Sequence, residues 1–125
     1  MYRCVAAAAA VLFLVAPASA QQRQFPQNAL RGALQFVEPP EILLNGQPAR
    51  LAPGVRIRGQ NNMLVLSGAL SGSKLLVHYT VDMGALVKDV WILTPEEATK
   101  RPWPTTPREA ESWSFDTVAQ TWSKP

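Results

Sequence analysis

The sequence predicts a mainly β protein: a small antiparallel meander or barrel of about six short strands, followed by a short-helical, Trp/Pro-rich C-terminal tail. Three observations carry this. Between Leu30 and Leu93, short alternating or apolar runs are separated by turn signals at Asn45-Gly46, Pro53-Gly54, Ser71-Gly72-Ser73 and Met83-Gly84. No stretch in that region keeps a helical period. From Thr94 the character changes, and three of the four tryptophans fall within the tail, at Trp103, Trp113 and Trp122.

The elements follow in order. Arg31 to Val37 places Leu34 and Phe36 on one face and Gln35 on the other, and Pro39-Pro40 interrupts the run. Glu41 to Leu44 is a second short piece. Asn45-Gly46 predicts a type I′ hairpin turn, because both residues tolerate positive φ. Pro48 has no N–H to donate and restricts the return strand to an edge position. Val55-Arg56-Ile57-Arg58 alternates, with the valine and isoleucine inward and the arginines outward. Met63 to Leu66 is apolar, and Gly68 suggests a bulge or a close approach. Lys74 to Asp82 is the longest alternation: Leu75, Val77, Tyr79 and Val81 share one face, and Lys74, His78, Thr80 and Asp82 the other. Leu86 to Leu93 is almost continuously apolar and belongs near the centre of the sheet.

In the tail, Thr94-Pro95-Glu96-Glu97 reads as a capping box with proline at the first helical position. Thr106-Pro107-Arg108-Glu109 repeats the pattern. The first helix can run only about two turns before Pro102. The second can continue through Val118, whereas Trp113-Ser114-Phe115 also alternates as a strand; the sequence leaves both open.

The first twenty residues read as a secretory signal peptide. Arg3 supplies a positive start, Val5 to Val15 an apolar run, and Ala18-Ser19-Ala20 a cleavage site with Gln21 as the mature N-terminus. The run is shorter than the roughly 20 residues of a membrane span. No cysteine follows it, which excludes a lipoprotein site, and a lone arginine is no twin-arginine signal. The expected location is the periplasm or the extracellular space, with no membrane span after cleavage; an uncleaved signal anchor is the alternative. The expected organisation is a signal peptide over 1–20, a flexible leader over 21–29, a β-barrel domain over 30–94, and a tail over 95–125 packed on the barrel.

Composition narrows the chemistry. The single cysteine, Cys4, leaves with the signal, so disulfide and zinc-thiolate chemistry are excluded from the mature chain. Stability then rests on burial. The mature chain carries eleven basic and nine acidic residues, a net charge of +2 that is too weak to argue for a nucleic-acid partner. The basic excess lies before Val81 and the acidic excess after it.

Some segments resemble uncharacterised secreted proteins of proteobacteria, particularly of the β subdivision. They are Arg50-Leu51-Ala52-Pro53-Gly54-Val55-Arg56-Ile57-Arg58, Asn61-Asn62, Leu66-Ser67-Gly68 and Val90-Trp91-Ile92-Leu93-Thr94-Pro95-Glu96-Glu97-Ala98. The resemblance implies export and brings no activity with it. The order of strands and turns is also similar, more loosely, to small OB-like or SH3-like barrels of exported bacterial proteins. Fold analogy alone transfers no function.

Candidate chemistry is sparse. His78 is the one histidine, and no Gly-x-Ser-x-Gly elbow accompanies it. Asp82 lies about 13 Å along the same strand, at about 3.3 Å per residue, and cannot orient its ring. His78 with Met63 and Met83 lacks the spacing of a copper(I) site. Glu96/Glu97 and Glu109/Glu111 are paired carboxylates, but the first pair suits the opening turn of a helix. No catalytic residue, metal or cofactor is assigned. Arg56, Arg58, Lys74 and His78 form a cationic strip if their strands are neighbours. Trp103, Trp113 and Trp122 are either anchors for a partner or clamps holding the tail on the barrel. The sequence thus favours a non-catalytic binding or assembly module of the cell envelope, contacting an envelope protein or an anionic polymer. The alternative is a small secreted hydrolase using His78 or an acidic pair. Oligomeric state is left undetermined.

Overall fold

A computed structural model describes residues 22–125. The expected signal peptide, with its expected cleavage between Ala20 and Gln21, lies outside the described residues. The chain forms β1 (Leu30–Glu38), β2 (Glu41–Leu44), β3 (Gln47–Arg58), β4 (Leu64–Val65), a 3₁₀ turn at Ser67–Leu70, β5 (Lys74–Val81) and β6 (Val87–Ile92). The tail follows as α1 (Pro95–Ala98), α2 (Pro107–Ser112), β7 (Ser114–Asp116) and β8 (Thr121–Ser123). The protein is mainly β, as its turn-punctuated alternation predicts.

The six strands β1–β6 form one sheet in the order β2-β1-β5-β6-β3-β4, and β2 also pairs with β3. Following the pairings from β1 through β5, β6, β3 and β2 therefore returns to β1. The expectation of a purely antiparallel meander is corrected by one contact: β3 and β6 run parallel, with Ile57 opposite Val90 and Arg58 opposite Trp91. A meander would place β5 beside β4. Instead β5 crosses to the free edge of β1, pairing Arg31 with His78 and Leu34 with Leu75. That brings β6 between β5 and β3.

Local signals explain the turns. Asn45 and Gly46 adopt φ of 53° and 82°, the two positive values of a type I′ turn. The Asn45 Oδ1 atom also accepts the Ala33 N–H at 2.9 Å, tying the hairpin to β1. Pro48 sits where β3 is paired with β2, outside the stretch paired with β6. Gly68 lies in the 3₁₀ turn rather than in a bulge. The Thr94 capping box is complete, with Thr94 Oγ1 accepting from Glu97 N–H and the Glu97 carboxylate accepting from Thr94 N–H. The second helix stops at Ser112, and the alternating Ser114–Asp116 segment is a strand paired with β8.

Period-2 alternation builds two apolar clusters on opposite faces of the sheet. Leu34, Phe36, Ile42, Ile57, Val77 and Val90 form the inner core, each 2% exposed or less. On the outer face, Trp91 and Leu93 pack with Phe25 and Ala29 from the N-terminal segment and with Trp103 and Trp122 from the tail. Residues 22–29 are thus no detached leader. Phe25 is buried, and Arg23 donates to the Gly59 and Ile92 carbonyls and to the Glu97 carboxylate. Among the described residues, no helix is long and apolar enough to cross a membrane.

Candidate functional site

His78 occupies the middle of the outer cluster. The alternation of β5 correctly sends it away from the inner core, but it is fully buried because the tail covers that face. Its ring stacks on Trp103 with centroids 4.0 Å apart and meets Phe25 edge-on at 4.4 Å. The Arg31 guanidinium donates to Nε2, with its Nε 3.2 Å away and its Nη2 3.1 Å away. Guanidinium nitrogens only donate, so Nε2 must be the acceptor and the neutral ring carries its proton on Nδ1. Nδ1 is buried with no hydrogen-bond partner among the described residues. Desolvation, then the positive charges of Arg31 and Arg23, lower the imidazole pKa from 6.5 to about 2. A neutral histidine closed in by two aromatic rings and a cation is poorly placed to exchange protons with a substrate.

Arg31 is itself a structural cation. Its guanidinium donates to the carbonyls of Glu97, Ala98 and Lys100, capping the end of α1. Burial, and the charge of Arg101, lower its pKa to about 10, so it remains charged at neutral pH. The Arg31 backbone N–H donates to the Pro104 carbonyl at 2.9 Å, and Trp103 Nε1 donates to the Ala29 carbonyl at 3.0 Å. β1, the N-terminal segment and the tail are thereby joined around one histidine.

The proposed cationic strip is not assembled. β6 separates β3 from β5. Arg58 leans over Trp91 with its Nη1 3.7 Å from Asp89, and the exposed Arg56 lies opposite Asp89. Lys74 is paired with Gln35 at the far end of β5, and His78 is sealed. Of the three tail tryptophans, Trp103 and Trp122 are buried clamps. Trp113 is half-buried, with the Lys124 ammonium 5.4 Å from its ring centroid. The acidic pairs are divided too. Glu97 faces Arg23, and the Glu109 carboxylate accepts from the Thr105 N–H and hydroxyl while its own backbone N–H donates to Thr106 Oγ1 at the start of α2. Among the described residues, no cluster of three or more His, Cys, Asp or Glu side chains could hold a metal ion.

A cleft of about 500 Å³ opens where α2 crosses the ends of β1 and β5. Leu30 and Val81 contribute apolar surface from the sheet, and Gln27 and Asn28 form a polar edge from the N-terminal segment. Pro107, Ala110 and Glu111 of α2 supply the opposite side. Sequence reasoning missed this cleft, because it depends on the N-terminal segment and α2 packing beside the same end of the sheet. The chain matches no protein-family model, no curated protein and no solved structure.

Proposed function

We propose that this protein is an exported, non-catalytic binding or assembly module of the bacterial cell envelope, and that the cleft beneath α2 is its binding site. The cleft carries the reading: it is largely apolar, has a few polar groups at its edge, and falls within the roughly 300–1,000 Å³ range of ligand sites. The burial of His78 supports a binding role over hydrolysis. The docked Trp103 and Trp122 move the recognition surface from the tail to the cleft it helps to build. The closed circuit of strand pairings, with one parallel contact, supports reading the sheet as a small OB-like barrel. The signal-peptide pattern supports export to the periplasm or beyond.

The test is affinity capture from solubilised envelope extract by the protein and by a Val81→Arg variant. Val81 is 36% exposed, so the arginine enters the cleft without disturbing the core. The expected result is a component retained by the parent and released by the variant. Equal retention by both proteins would place recognition elsewhere, and no retention by either would remove the assembly role.

A further inference from the structure

We propose that the cleft beneath α2 takes a small amphipathic cation, an ammonium head on a short aliphatic body. This rests on the cleft being the binding site and adds the chemistry of what fills it. Leu30, Val81, Pro107 and Ala110 give it an apolar interior. Among the described residues, the charged group at its edge is the Glu111 carboxylate, and no basic side chain lines it.

Three features give Glu111 this role. First, Glu111 lies in the last turn of α2, where negative charge opposes the helix dipole, so helix stability does not account for it. Glu109, two residues earlier, does the capping. Second, in contrast to Glu97 and Glu109, Glu111 has no hydrogen-bond or ion-pair partner among the described residues. The side-chain amides of Gln27 and Asn28 are likewise unengaged. A carboxylate accepts and cannot donate, so the complementary group is a donor with positive charge. Third, the alternatives are penalised. An anion would meet Glu111 directly, and a neutral hydrocarbon would desolvate the carboxylate without pairing it.

The experiment uses the purified protein with isotope-labelled methyl groups, titrated separately with hexylammonium, hexanol and hexanoate. Hexylammonium should shift the Leu30, Val81 and Ala110 methyl resonances saturably, with hexanol and hexanoate binding at least about tenfold more weakly. Glu111→Gln, at an exposed position, should weaken hexylammonium about tenfold, equivalent to about 1.4 kcal/mol, and leave hexanol unchanged. If hexanol or hexanoate matches hexylammonium, the cationic class is wrong while the cleft still binds. If Glu111→Gln leaves hexylammonium binding unaltered, the carboxylate is not the recognising group. If none of the three probes moves these methyls, the proposal and the reading of the cleft fall together.

Discussion

The His78 imidazole and the Trp103 indole lie nearly parallel, 21° apart, with centroids separated by 4.0 Å. One ring comes from the sheet and the other from the tail, so the contact joins two parts of the chain that read separately in the sequence. Around it Phe25, Trp91 and Trp122 complete a second core outside the sheet. The described residues contain no cysteine, and this outer layer adds burial that the inner core alone does not provide.

Removing Trp103 should be among the most costly single changes. Trp103→Ala deletes a buried indole, its hydrogen bond to the Ala29 carbonyl, and the lid on His78. Loss of about 3–5 kcal/mol is expected from cavity formation. Urea denaturation checks this; a loss near that of a surface substitution would show that the tail packs more loosely than described.

Acid should destabilise the fold earlier than carboxylate chemistry alone would. The folded-state pKa of His78 is depressed, so below pH 6.5 the unfolded chain takes up a proton that the folded chain refuses. Unfolding free energy therefore falls as pH drops below 6.5, with a slope approaching about 1.4 kcal/mol per pH unit. His78→Gln, which retains an acceptor for Arg31, should flatten stability between pH 6.5 and pH 4.5. An unchanged slope in that variant would assign the acid sensitivity to another group.

Glu97 makes a second acid-sensitive contribution. Burial raises its carboxyl pKa, but hydrogen bonds from Arg23 and Thr94, with the Arg23 charge, outweigh this and hold it below the usual value. Its contribution is present above pH 4.5 and is lost as pH falls further. Breaking the pair with Arg23→Ala leaves that carboxylate and the Gly59 and Ile92 carbonyls without their cation, at a cost of about 3–5 kcal/mol. Arg23→Lys should recover only part of the loss, since an ammonium cannot reproduce the guanidinium fork. Chemical denaturation of the two variants at neutral pH measures both effects.

Truncation provides a broader test. A chain ending at Thr94 loses Trp103 and Trp122 and exposes Phe25, His78 and Trp91 together. Aggregation or loss of cooperative unfolding is expected, read by light scattering and near-ultraviolet circular dichroism. A monomeric, cooperatively folding truncation would make the tail an appendage.

Much of the fold was legible because its signals are local. Positive φ at Asn45 and Gly46, the Thr94 capping box, and the inward placing of Leu75, Val77 and Tyr79 each depend on a few adjacent residues; Val81, expected on the same face, is instead exposed at the cleft. The parallel pairing of β3 with β6 was not, because it depends on which free edge β5 finds after a long excursion. The burial of His78 was hidden by the same reasoning that placed its face correctly: alternation tells which side of a strand a residue occupies, not what covers that side. One usable signal was present. The nearly unbroken apolar run from Leu86 to Leu93 suits a strand covered on both faces, and Trp91 and Leu93 are its outward members. The packing of Arg23 and Phe25 left no comparable signal in the polar segment over 21–29 that carries Pro26.

The most direct test is the titration of His78 itself, followed through its ring proton resonances from pH 8 to pH 4 in the folded protein. The expected result is a neutral imidazole with Nδ1 protonated and no titration across that range. A midpoint near 6.5 would show that the ring reaches water, and that the N-terminal segment and the tail do not close over it.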